Sequence, residues 1–158
     1  MGFALSDISI TSSAFQADGS IPSKHTGEGE DVSPALAIVN IPAEAKSLAI
    51  FCHDPDAPLA KPGIYGFTHW VLYNLPANTK VLKEAAGEGS AGLNDFGNSG
   101  YNGPMPPEGH GTHRYYFWVV ALDAELNLPE RLTLEQFLQK AEPNIIAMNR
   151  LVGTYQRG

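Results

Sequence analysis

Four side chains in this sequence could do chemistry together: Asp54, His69, His113 and Tyr115. Each sits where an apolar run meets a segment rich in glycine and proline. Asp54 follows SLAIFC (47–52), inside the turn HDPDAP (53–58), where Asp54 and Asp56 alternate with Pro55 and Pro58. Proline fixes its own φ and biases the residue before it toward extended backbone, so Asp54 and Ala57 have little freedom. Taken alone, this is an ordinary surface turn, because Asp and Pro are common turn residues.

His69 opens THWVLYNLP (68–76), and His113 and Tyr115 open HRYYFWVVAL (113–122). In an extended strand, residues two apart share a face. His113 and Tyr115 therefore project together and Arg114 points away, while His69 opposes Trp70 and Asp54 opposes His53. If the three strands are neighbours, their polar ends converge. Two imidazoles and a phenol then offer hydrogen-bond donors suited to a phosphate or carboxylate. Asp54 repels an anion. Its role is to accept a ring N–H from one imidazole, fixing the tautomer so that the other nitrogen faces the ligand. With an ordinary histidine pKa of about 6.5, anion binding strengthens as pH falls, and an acidic partner raises that value. A lone histidine at a strand end is an ordinary satisfied polar group, so this reading depends on the strands being adjacent.

Other chemistries have less support. Zinc held by His69, His113 and Asp54 lacks a short-spaced ligand pair. No G-x-S-x-G, phosphate-binding glycine loop or dinucleotide fingerprint occurs. Cys52 beside His53 points to the opposite face and reads as core. Asp54 with His113 as a general acid/base pair leaves a hydrolase or isomerase as an alternative, without an identifiable nucleophile.

The elements that must position these groups are mostly strands. At 158 residues, with 43% hydrophobic and 17% charged, the chain fits one globular domain. Gly 16 and Pro 12 predict many turns. A net charge of −7 and a pI near 5.1 argue against nucleic-acid binding and basic docking to membranes. The single Cys52 excludes an internal disulfide framework. No secretory signal and no apolar run of membrane-spanning length is visible, so a cytoplasmic location is expected. Strands are expected within 3–12, at 33–42, 47–52, 68–76 and 113–122, with long loops at 18–33 and 87–111. Leu134, Phe137, Leu138 and Ala141 follow helical spacing behind a Thr133/Gln136 capping box. Ile145, Met148, Leu151 and Val152 suggest a second short helix after Pro143, leading into a final GTYQ strand.

Three motifs in order, DPDAP (54–58), THW (68–70) and GYNGPMPPEGHGTHRY (100–115), resemble the phosphatidylethanolamine-binding protein family. The nearest branch is the bacterial and archaeal Raf-kinase-inhibitor-like one, and the likeness runs from SPAL to LVGTY. The resemblance implies a single mainly-β domain over 1–158: an antiparallel Greek-key β-sandwich with one or two short helices near the C-terminus. It implies a small pocket at one end for phosphate, acetate or a phospholipid head group. Matched by motif, the pocket residues are Asp54, His69, His113 and Tyr115, with Pro58 shaping the wall and the Met105 N–H capping the anion. Ala57–Pro58 is the candidate cis peptide. It further implies a binding protein without cofactor or metal that regulates a kinase or protease through the pocket, and a homodimer, for which HRYYFWVVAL would supply a sheet-edge or face contact. A surface-acting inhibitor or scaffold is the other reading. Ile38 stands where the branch has tryptophan and Asn144 where it often has histidine. The loop 59–67 is longer than in the shortest prokaryotic members, which would narrow or cover the pocket mouth.

Overall fold

A computed structural model describes residues 6–56 and 66–157. Two antiparallel sheets form the body. The smaller contains β1 (Ser9–Thr11), β2 (Leu36–Val39) and β5 (Val81–Leu82), in the order β1-β2-β5. The larger contains β3 (Ser47–Asp54), β4 (Phe67–Pro76), β6 (Ser90–Ala91), β7 (His113–Leu122) and β8 (Ile145–Tyr155), in the order β6-β4-β3-β7-β8.

Both faces of the larger sheet are covered, which is why β3 and β7 are apolar almost without alternation. One face meets the smaller sheet through Leu48, Ile50, Cys52, Tyr115, Phe117, Val119, Ile10 and Leu36. The other carries Phe51, Val71, Tyr73 and Val120 beneath Phe137 and Ala141 of helix α1 (Leu134–Ala141). That helix begins as its sequence requires. The Thr133 side chain accepts the Gln136 N–H, and the Gln136 side chain accepts the Thr133 N–H.

The expected second helix is instead strand β8. From Tyr155 back to Ile145 it pairs with β7, with one irregularity next to Leu122. Its apolar residues serve both sides of the sheet: Ile145 and Met148 pack on the helix side, and Leu151 on the sandwich side. A helix presents such spacing on one face only. The ladder to β7 and the β-branched content decide for strand. The chain between α1 and β8 makes one 3₁₀ turn, Glu142–Asn144.

Strand β7 lies between β3 and β8, so it has no free edge for a second copy. Its outward Tyr116 and Trp118 are overlaid by the Arg150 guanidinium, 5.6 and 5.4 Å from the ring centroids. Ile38 fills the core, and the Asn144 amide donates to Asp123. Pro58, the Ala57–Pro58 peptide and most of the 59–67 loop lie outside the described residues. No described helix is long and apolar enough to cross a membrane.

Candidate functional site

Strands β4, β3 and β7 are consecutive neighbours, which brings their polar ends to one end of the larger sheet. The β3–β7 ladder pairs Cys52 with Phe117 and His53 with Tyr116, so Asp54, Tyr115 and His113 continue on the sandwich-facing side. His113 Nδ1 donates to Asp54 Oδ2 at 2.7 Å, and both side chains are buried. The second carboxylate oxygen of Asp54 accepts the Asp56 N–H at 2.8 Å. Asp56 in turn accepts the Arg114 N–H at 2.8 Å, tying the turn after β3 to the start of β7. The two acids of the turn thus divide the work: one orients a histidine, the other fastens the turn.

His69 reaches the same cluster by an irregularity. Cys52 pairs with Trp70, but the next partner of β3, His53, pairs with Thr68, so His69 is an extra residue in β4. Strict alternation would send His69 to the face opposite Trp70. A bulge bends the strand and re-aims the inserted side chain. The His69 ring lies 5.3 Å from that of Tyr115, while Trp70 remains in the sandwich core.

The 87–111 loop fixes the His69 tautomer. His69 Nδ1 donates to the Asn102 carbonyl at 2.8 Å, and the Asn102 N–H returns to the His69 carbonyl at 3.1 Å. The Asn102 side chain is held on three sides: its Nδ2 donates to Asp31, and its Oδ1 accepts from Asn94 and Asn98. Asn94 also accepts the N–H groups of Phe96 and Asn98. Phe67 packs tilted against the His69 ring at 5.0 Å, and Phe96 packs edgewise at 5.6 Å.

The electrostatics differ from the simple expectation at His69. Burial outweighs the Asn102 carbonyl and the Asp54 charge and holds its pKa below the ordinary 6.5. Tyr115 is pushed far above the ordinary phenol range, first by burial and then by Asp54. Its hydroxyl stays protonated, a donor, and it is buried without a protein partner among the described residues. Cys52, fully enclosed, has its thiol pushed well up by burial and then by Asp54. Among the described residues, no three His, Cys, Asp or Glu side chains are placed to hold a metal ion.

The structure therefore brings together Asp54, His69, His113 and Tyr115. Met105 lies on the adjacent loop, exposed, with the neighbouring Pro104 carbonyl accepting the Gly27 N–H. Sequence reasoning passed over one side chain. His110 Nδ1 lies 2.6 Å from His113 Nε2, their rings 4.8 Å apart. Its signal is the three-residue step from His110 to His113 within the 100–115 motif.

Comparison with known proteins gives a consistent relationship. The phosphatidylethanolamine-binding protein family model matches residues 11–156. A UPF0098 protein of Pyrococcus abyssi is 44% identical, over 92% of this chain and 84% of its own length. One from Methanothermobacter thermautotrophicus is 41% identical, over 96% and 100%. Among solved structures, a phosphatidylethanolamine-binding protein homologue from Chlamydia trachomatis superposes with a TM-score of 0.89 at 39% identity, covering 96% of this chain and 98% of that one. Escherichia coli YbcL, described as a member of the mammalian family, gives 0.88 at 28% identity, covering 97% and 100%. With strands β2 to β8 and the motif-bearing segments inside the matched span, the chain belongs to the phosphatidylethanolamine-binding protein family.

Proposed function

We propose that the protein binds a small anion, a phosphate or phosphorylated head group, at the Asp54–His69–His113–Tyr115 cluster. The observation that carries this reading is the buried Tyr115 hydroxyl, without a protein partner among the described residues, beside two imidazoles whose Nδ1 atoms are already committed. Each committed Nδ1–H leaves Nε2 as the ring atom for other partners, which for His113 faces His110, and a protonated ring donates from it to an anion. Asp54 offsets the charge of a protonated His113 and holds its orientation. Phe96 and Met105 place exposed apolar surface on the loops beside the cluster. Regulation of a kinase or protease through the occupied pocket belongs to the same proposal.

The test is a titration of inorganic phosphate and phosphoethanolamine followed by the ring resonances of His69 and His113. Both rings shift, and His113→Ala abolishes the response. Phosphate that leaves both rings unmoved while binding elsewhere refutes the assignment. Turnover of a phosphoester that vanishes in Asp54→Asn would replace binding with acid/base catalysis.

A further inference from the structure

His113 has no open nitrogen. Its Nδ1 donates to Asp54, and its Nε2 faces His110 Nδ1 at 2.6 Å, a separation that holds one proton between two nitrogens. An anion approaching His113 must therefore meet His110 first. His110 itself is solvent-exposed, at the tip of a short loop. Gly109 and Gly111 on either side have φ of +74° and +93°, a region open to glycine at little cost. Nothing lies within 4 Å of where a Cβ would sit on either glycine. The loop is anchored outside the histidine: the Gly109 N–H donates to the Arg157 carbonyl, and the His110 N–H to the Pro107 carbonyl.

We propose that His110 is a ligand-binding residue of this pocket, and that a phosphoryl group enters by parting the His110–His113 pair and accepting an N–H from each. The inference rests on the anion-binding reading and deepens it. Three donors then converge, His110, His113 and the Tyr115 hydroxyl, and His69 adds a fourth when its own ring is protonated. A carboxylate has two oxygens to offer them, whereas a phosphoryl group has three, so the set favours the latter. With both rings neutral, the facing nitrogens share one proton. Two N–H donors toward one ligand need another, which lands on His113 Nε2 while Nδ1–H stays on Asp54. Binding is therefore coupled to proton uptake. Among the described residues, the charged and titratable groups around the pair include Asp54 and Asp56 from the turn after β3, His69 from β4, Tyr115 from β7, Tyr155 opposite His113 on β8, and Arg157 with its ion-pair partner Glu28.

The experiment is calorimetry of inorganic phosphate and of acetate with the intact chain, His110→Ala and His110→Gln, between about pH 6 and about pH 8, where histidines change charge. Loss of His110 weakens phosphate by about tenfold or more, as for one hydrogen bond to a charged group, and acetate by less. His110→Gln, which keeps a donor, recovers part of the loss. The rise in phosphate affinity on acidification is shallower in both variants. Circular dichroism unchanged from the parent keeps the comparison free of unfolding. Equal or tighter phosphate binding by His110→Ala, with the pH profile intact, overturns the inference even if His69 and His113 still respond. If neither ring responds in the parent protein, the binding proposal itself has failed. Phosphoethanolamine run beside phosphate separates a head group from the free ion.

Discussion

Asp54 and His113, 59 positions apart in the chain, meet at 2.7 Å with both side chains enclosed. The contact is charge-assisted, and it decides which nitrogen of His113 can face a ligand. Asp54→Asn keeps the size but removes the charge. It is expected to lower phosphate affinity about tenfold and stability by about 1–3 kcal/mol. Calorimetry and urea unfolding check the two effects, and unchanged phosphate affinity would remove the orienting role.

Tyr115 should separate function from stability. Its hydroxyl is buried without a protein partner among the described residues, so Tyr115→Phe removes a desolvated polar group and no hydrogen bond to them. Stability should hold or rise by about 1 kcal/mol, while phosphate binding weakens. A loss of stability comparable to a core deletion would mean that the hydroxyl has a structural partner.

The pH dependence of stability follows from His69. Its folded pKa lies below the ordinary 6.5 because of burial, so on acidification the unfolded chain takes up this proton first. The stability from keeping His69 neutral is fully present above the ordinary value and is lost as pH falls from there through the lower folded one. The slope reaches at most about 1.4 kcal/mol per pH unit for one proton. Urea unfolding across this range should show the decline, and His69→Gln should flatten it. Saturating phosphate should oppose the decline, because an anion favours the charged ring.

The loop carrying Asn102 is fastened by Asn94, whose side chain accepts two backbone N–H groups and donates to Gly100 and Asn102. Asn94→Ala strands those groups and should cost about 1–3 kcal/mol, with phosphate binding weakened because the His69 tautomer loses its support. Thermal unfolding and the phosphate titration measure both. Full binding in Asn94→Ala would show that the Asn102 carbonyl holds His69 unaided.

Cys52 should be inert in the native protein. Its thiol is enclosed and pushed well up by burial, and only the thiolate reacts. A disulfide reagent should modify it only at the rate of unfolding, and rapid labelling under native conditions would refute the packing of β3 against β7.

Where local pattern and tertiary context agree, the sequence was legible. The apolar runs became β3, β4 and β7, and Thr133 and Gln136 started α1 as expected. The 145–155 segment misled because its i, i+3 spacing also fits a strand whose two faces are both covered, and ten pairings to β7 cannot be read locally. At the site, Asp54, His113 and Tyr115 followed from period two. His69 did not, since nothing in THW marks an inserted residue. The Asp31–Asn102–Asn94 bracing joins distant segments by side-chain amides, and such pairs carry no periodicity. His110 lay outside every strand and offered only its closeness in sequence to His113.

The extra residue in β4 makes the cluster a matter of phase. One position removed between Phe67 and Trp70 would let β4 run in step with β3, and every hydrogen bond of the ladder could still form. The side chain before Trp70 would then lie against the helix-covered face. Such a shortened protein would keep its ladder and lose His69 from the cluster, so the count of residues in this strand matters to the cluster as much as their identity.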